Sequence, residues 1–211
     1  MAGSKFLFDG DAPARATVLL AHGAGAAMDA PFMNTIAQGL AAHGFRVARF
    51  EFAYMAGRRS GGSKRPPPRM PVLEAEYRAA IDVLACTGPL VIGGKSLGGR
   101  VASLIADDLF ASGRIGGLLC LGYPFHPPAK PDNLRTAHLA ALRTPTLICQ
   151  GTRDPFGARE EVESYDLSGA TTLHWLEDGD HDLKPRKTVT GKSHDDHLAD
   201  ACAAIAQWMP L

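Results

Sequence analysis

The chain has 211 residues, 45% of them apolar and 21% charged, and its 22 basic and 22 acidic residues cancel to a formal net charge of zero. That length suits one domain with a substantial core, and the charge balance excludes both a disordered chain and bulk attraction to nucleic acid or membranes. Any charge-driven function must come from local patches. Cys86, Cys120, Cys149 and Cys202 show no CxxC spacing, and Cys120 and Cys149 fall in apolar runs where a free thiol acts as a small buried hydrophobe. With no signal-peptide stretch and no window of membrane-spanning length, this predicts a cytoplasmic protein.

In chain order, Phe6-Leu7-Phe8 reads as a short edge strand, followed by a strand over Ala16–Ala21, a helix over 31–43 and a strand over Phe45–Phe50. Tyr54–Pro71 departs in composition: four prolines, three glycines and five basic residues with no acid, predicting a long loop and a candidate lid. A helix is predicted over 72–86, where Leu73, Tyr77, Ala80, Ile81 and Leu84 recur at three-to-four spacing. Strands Leu90–Gly93, Gly117–Leu121, Thr146–Gln150 and Thr172–Leu176 then alternate with helices 97–111, 133–142, 158–165 and 194–209. The alternation predicts an α/β fold, a mostly parallel sheet of six to seven strands with helices on both faces, and a single domain over 1–211.

Gly94-Lys95-Ser96-Leu97-Gly98 is a G-x-S-x-G sequence that closes a strand and opens a helix, the context of a nucleophile elbow. A P-loop reading of Gly94-Lys95-Ser96 fails, because Pro89 stands where a glycine is required and Leu90-Val91-Ile92 is strand. A serine nucleophile needs a base, and the base needs an orienting acid. Asp154 follows the strand ending at Gln150 and His181 follows the strand ending at Leu176, so all three lie at one edge of a parallel sheet. Asp178 and Asp180 are the fallback acids. The first strand runs into His22-Gly23-Ala24-Gly25, where small residues allow close approach. The amides of Ala24 and Leu97 are therefore the candidate oxyanion donors. A dinucleotide reading of that segment fails because position 28 is Met rather than Gly.

Together His22-Gly23-Ala24-Gly25, the elbow around Ser96, Gly151-Thr152-Arg153-Asp154 and Asp180-His181 resemble the α/β-hydrolase superfamily, close to its small dienelactone-hydrolase-like members. The arrangement of Ala21–Pro31, Arg65-Pro66-Pro67-Pro68 and Gly93–Gly99 resembles more closely a bacterial branch of predicted hydrolases related to animal testis-expressed and chromatin-complex hydrolase-like proteins. The resemblance implies an eight-stranded-type fold trimmed at its N-terminus, and the roles of Ser96, Asp154 and His181 above; a length of 211 residues leaves no large cap. It implies no substrate. Dienelactone hydrolases carry cysteine where Ser96 stands, so their lactone chemistry is not carried over.

The segments 54–71 and 183–193 hold nine basic residues and no acidic ones. Both leave the active edge, which points to an electropositive mouth with Arg58, Arg59 and Tyr123 as substrate-binding candidates. In His194-Asp195-Asp196-His197, Ser193 is expected to cap a helix rather than the histidines to hold a metal. The reading is a cofactor-free, metal-free serine hydrolase of esters or thioesters of a small, anionic substrate, with no nucleic-acid or membrane partner and the oligomeric state open. The alternative is a non-catalytic hydrolase scaffold that binds a partner.

Overall fold

The computed structural model describes residues 6–86 and 88–209. Strands β1 (Leu7–Asp9), β2 (Thr17–Ala21), β3 (Arg46–Phe50), β4 (Leu90–Lys95), β5 (Gly117–Leu121), β6 (Thr146–Gly151) and β7 (Thr171–Leu176) form one sheet in the order β1-β3-β2-β4-β5-β6-β7. Only β1 runs antiparallel, against β3; every other neighbouring pair is parallel. The chain moves outward from β2 to β3, then returns past β2 to β4 and continues the other way to β7. The loops after β2 and β4 therefore diverge, opening a crevice outside the carboxyl ends of these two strands.

Helices α1 (Pro31–Ala42) and α7 (His194–Trp208) cover one face of the sheet, while α3 (Met70–Val83) and α4 (Leu97–Ala111) cover the other. Three short helices, α2 (Ala53–Arg59), α5 (Arg159–Val162) and α6 (Lys187–Thr190), sit in the connections. Successive strand residues alternate between the faces: Leu19, Ala21, Ile92 and Cys120 pack under α3 and α4, Val18, Leu20, Val91 and Leu119 under α1 and α7. Both faces are buried, which is why these strands read as unbroken apolar runs. Among the described residues no helix is long and apolar enough to cross a membrane.

The structure corrects three predicted elements. Residues 133–142 are turns, not a helix. Leu139 and Leu142 have a helix-like spacing, but Arg135 donates its amide to the Phe125 carbonyl (2.7 Å) and accepts from the Tyr123 hydroxyl (3.1 Å), so tertiary bonds replace intrahelical ones. The Tyr54–Pro71 segment is not one loop: α2 occupies its start, and Met70 and Pro71 already form the first turn of α3, where proline is tolerated. The helix expected over 158–165 shrinks to the four residues of α5. The predicted start of α7 holds: Ser193 accepts from the Asp196 amide while Asp196 accepts from the Ser193 amide, a reciprocal cap.

Candidate active site

β4 ends at Lys95 and α4 begins at Leu97, so Ser96 alone makes the turn, at φ 50° and ψ −110°. A side chain on that left-handed side of backbone space is strained and persists only where its surroundings dictate it. Here a Cβ on Gly94 or on Gly98 would come within 2.3 Å of the Ala21 carbonyl oxygen. The turn is pressed against the end of β2, and only glycine fits on either side of the serine. Ser96 is thereby held with its side chain part-exposed above the sheet.

His181, in the loop after β7, brings Nε2 to 2.8 Å from Ser96 Oγ and Nδ1 to 2.8 Å from Asp154 Oδ2. A carboxylate only accepts, so Nδ1 carries the hydrogen and the Nε2 lone pair faces the serine hydroxyl. Asp154 is fully buried, and its remaining capacity is filled by the Phe156 amide (2.8 Å, to Oδ1) and the Gln150 side-chain amide (2.9 Å, to Oδ2). Gln150 is itself fixed, accepting from the Tyr123 amide at 2.7 Å. The Phe156 ring lies 4.1 Å from the imidazole, centre to centre, at an interplanar angle of 31°. Gln150 and Phe156 support the site although no motif singles them out; Gln150 is only the polar last residue expected of a strand.

The fallback acids are spent on building the His181 loop. Asp178 pairs with Arg186, whose hydrogen bonds hold its carboxyl down to about 2, and Asp180 Oδ1 accepts from the amides of Asp182 and Lys184. The loop after β2 is fixed by His22, which is buried with Nδ1 2.7 Å from the Gly23 carbonyl and Nε2 3.2 Å from the Phe52 amide. The Phe52 amide only donates, so Nε2 accepts and Nδ1–H donates to Gly23. In the trans Gly23–Ala24 peptide the N–H points opposite to the C=O. The Ala24 amide thus faces away from the imidazole, on a loop where a Cβ at Gly23 would meet Ser96 Cβ at 3.8 Å. Among the described residues neither the Ala24 nor the Leu97 amide donates to a protein acceptor.

The substrate-binding candidates separate. Arg58 lines a cleft of about 370 Å³ with Ala24, Gly25, Lys64, Arg65 and Pro66; the cleft reaches the 24–25 loop but not Ser96 itself. Among the described residues Arg58 has no carboxylate partner, and its buried Nε has no acceptor. Arg59 lines a second cleft of about 300 Å³ with Ala27, Met55 and Arg58, where its guanidinium is engaged by Asp29 (2.8 Å) and Glu51 (2.7 Å), tying α2 to the loops after β2 and β3. Tyr123 is corrected. It is fully buried against Phe125, 4.9 Å between ring centres, and presents no surface to a ligand. A second serine–histidine contact, Ser103 Oγ to His138 Nε2 at 2.8 Å, is not a nucleophile and base, because the hydroxyl proton goes to the Arg100 carbonyl at 2.7 Å.

A mostly parallel sheet bearing a serine on a strained strand-to-helix turn, with histidine and aspartate after two later strands, has the form of an α/β-hydrolase. Residues 14–210 match the alpha/beta hydrolase domain family, and the chain belongs to it. Similar solved structures include dienelactone hydrolase from Anabaena variabilis (18% identity, 97% of this chain and 90% of that one, TM-score 0.73). Est1E from Butyrivibrio proteoclasticus is similar over 99% of this chain and 98% of its own at 14% identity, TM-score 0.68. The esterase domain of a Rhodothermus marinus protein is similar over 97% and 90% at 17% identity, TM-score 0.66. At these identities the likeness establishes the shared fold.

Proposed function

We propose that the chain is a serine hydrolase that cleaves a carboxylic ester or thioester of a small, anionic substrate through an acyl-enzyme. The reading is carried by the continuous path from Ser96 Oγ through the His181 ring to the buried Asp154, two contacts of 2.8 Å each. Ser96 Oγ adds to the substrate carbonyl carbon as its proton passes to His181 Nε2, and Asp154 stabilises the imidazolium through Nδ1–H. The amides of Ala24 and Leu97 receive the oxyanion, each contributing about 3 kcal/mol to the transition state. Collapse expels the alcohol or thiol, which takes the proton from His181 and leaves the acyl group on Ser96. Water, giving a proton to His181, then displaces the acyl group as a carboxylic acid and restores the serine.

The anionic preference is supported by the cleft beside Ala24, where Arg58, Lys64 and Arg65 stand without a carboxylate in the lining. The first test is intact-mass detection of a fluorophosphonate adduct. One adduct per chain is expected on the native protein and none on Ser96→Ala. No adduct on the native protein, or the same adduct on the variant, rejects the assignment and brings the non-catalytic scaffold forward.

A further inference from the structure

Lys95 occupies the variable position of the G-x-S-x-G sequence, and its side chain is only 8% exposed. An ammonium is costly to remove from water, whereas an apolar side chain would fill the same slot at no such cost. What the ammonium adds is a bond across the site: Nζ donates to the main-chain carbonyl of His181 at 2.7 Å. Its other neighbours are Asp182 Oδ1 at 3.3 Å and the face of Phe32, 5.4 Å from the ring centre. Burial lowers the pKa of Lys95, while Asp182, Asp154 and Asp180 act to raise it.

The loop that carries His181 is tied at its two sides, by Asp178 with Arg186 and by Arg153 to the carbonyls of Asp178 and Lys184. Among the described residues the only hydrogen-bond donor to the His181 carbonyl itself is Lys95. Gly122 makes the room: a Cβ there would meet that carbonyl oxygen at 2.6 Å and Lys95 Nζ at 3.2 Å. We infer that Lys95 is a positioning residue, a clamp by which the elbow holds the backbone of His181 at the height that brings its imidazole to Ser96. The inference rests on the reading of Ser96 and His181 above. The clamp is covalently next to the nucleophile, so the serine and the base move as one unit.

The test uses Lys95→Met, which keeps the unbranched stem and removes the donor, with Lys95→Gln as a second variant whose amide is too short to reach. Hydrogen–deuterium exchange is compared first, because it needs no activity. Exchange over residues 179–185 is expected to rise at least about tenfold, with α4 and β4 unchanged. Equal exchange in the variant and the native protein overturns the clamp whether or not the protein is a hydrolase. In the same variants kcat, and the rate of fluorophosphonate addition, are expected to fall roughly ten- to hundredfold at an unaltered KM, the cost of a misplaced reacting group. A loosened loop with unchanged kcat rejects the positioning role. A native protein that takes no adduct rejects the hydrolase reading instead, leaving the exchange result to judge the contact.

Discussion

At the level of single residues, His22 carries two constraints at once. Its ring orients the Gly23–Ala24 peptide by donating from Nδ1 and accepts the Phe52 amide at Nε2, and the second bond requires the neutral ring. Burial holds its pKa below the ordinary imidazole value, against opposing contributions from the Gly23 carbonyl and Glu51. Burial, followed by the charge of Arg100, lowers His138 in the same way. The unfolded chain takes up these protons near pH 6.5 while the folded chain does not. Stability is therefore full above about pH 6.5 and declines as pH falls below it, by at most about 1.4 kcal/mol per pH unit for each histidine. Urea midpoints at pH 7.5 and 5.5 measure the decline, which is expected to be shallower in His22→Asn. An equal slope in both proteins assigns the acid sensitivity elsewhere.

Between elements, Tyr77 of α3 performs a task that a phenylalanine of the same shape cannot. Its hydroxyl accepts from the Gly93 amide at 2.9 Å and has the carbonyls of Leu19 and Gly93 at 2.9 and 2.7 Å, one of which receives its proton. It stitches β2 to β4 just ahead of Lys95, where the strand ends and the elbow begins. Tyr77→Phe removes the hydroxyl that reinforces this junction and is expected to cost about 0.5–1.5 kcal/mol, seen as a lower urea midpoint at an unchanged m-value. A loss below about 0.5 kcal/mol means water replaces the hydroxyl. Helix boundaries divide by the same logic of local against distant bonds. α4 is bounded by its own turn and α7 by its own Ser193 cap, so both were legible in the sequence. The stretch over 133–142 takes its shape from the bonds of Arg135 to Phe125 and Tyr123, neither of which its own residues announce.

Over the whole molecule, ion pairing edits the charge pattern. Of the nine cations in 54–71 and 183–193, Arg59, Arg186 and Lys192 face carboxylates, while Arg58, Lys64 and Arg65 gather at the cleft. Steering by these three predicts that kcat/KM for an anionic ester falls several-fold as the screening length shrinks from about 30 Å at 0.01 M salt to about 3 Å at 1 M. The value for a neutral ester of the same alcohol should hold steady. Parallel curves for the two substrates rule steering out. Arg58→Gln is expected to flatten the anionic curve, while Arg59→Gln chiefly loosens α2.

The parts determined by the sequence alone are those governed by short-range sterics and periodicity. They are the apolar strands buried on both faces, the glycines required beside Ser96, and the succession of serine, aspartate and histidine after three strands. Tertiary structure decided what depends on partners far along the chain. Lys95 meets the His181 carbonyl across 86 positions, and Arg59 meets Asp29 across 30. Tyr123 is withdrawn from the surface, and Gln150, expected only as the end of a strand, becomes the support of Asp154. Hydrogen bonds and ion pairs of this kind are set by packed geometry, and a residue's type shows what it can donate or accept but not which group will stand opposite it.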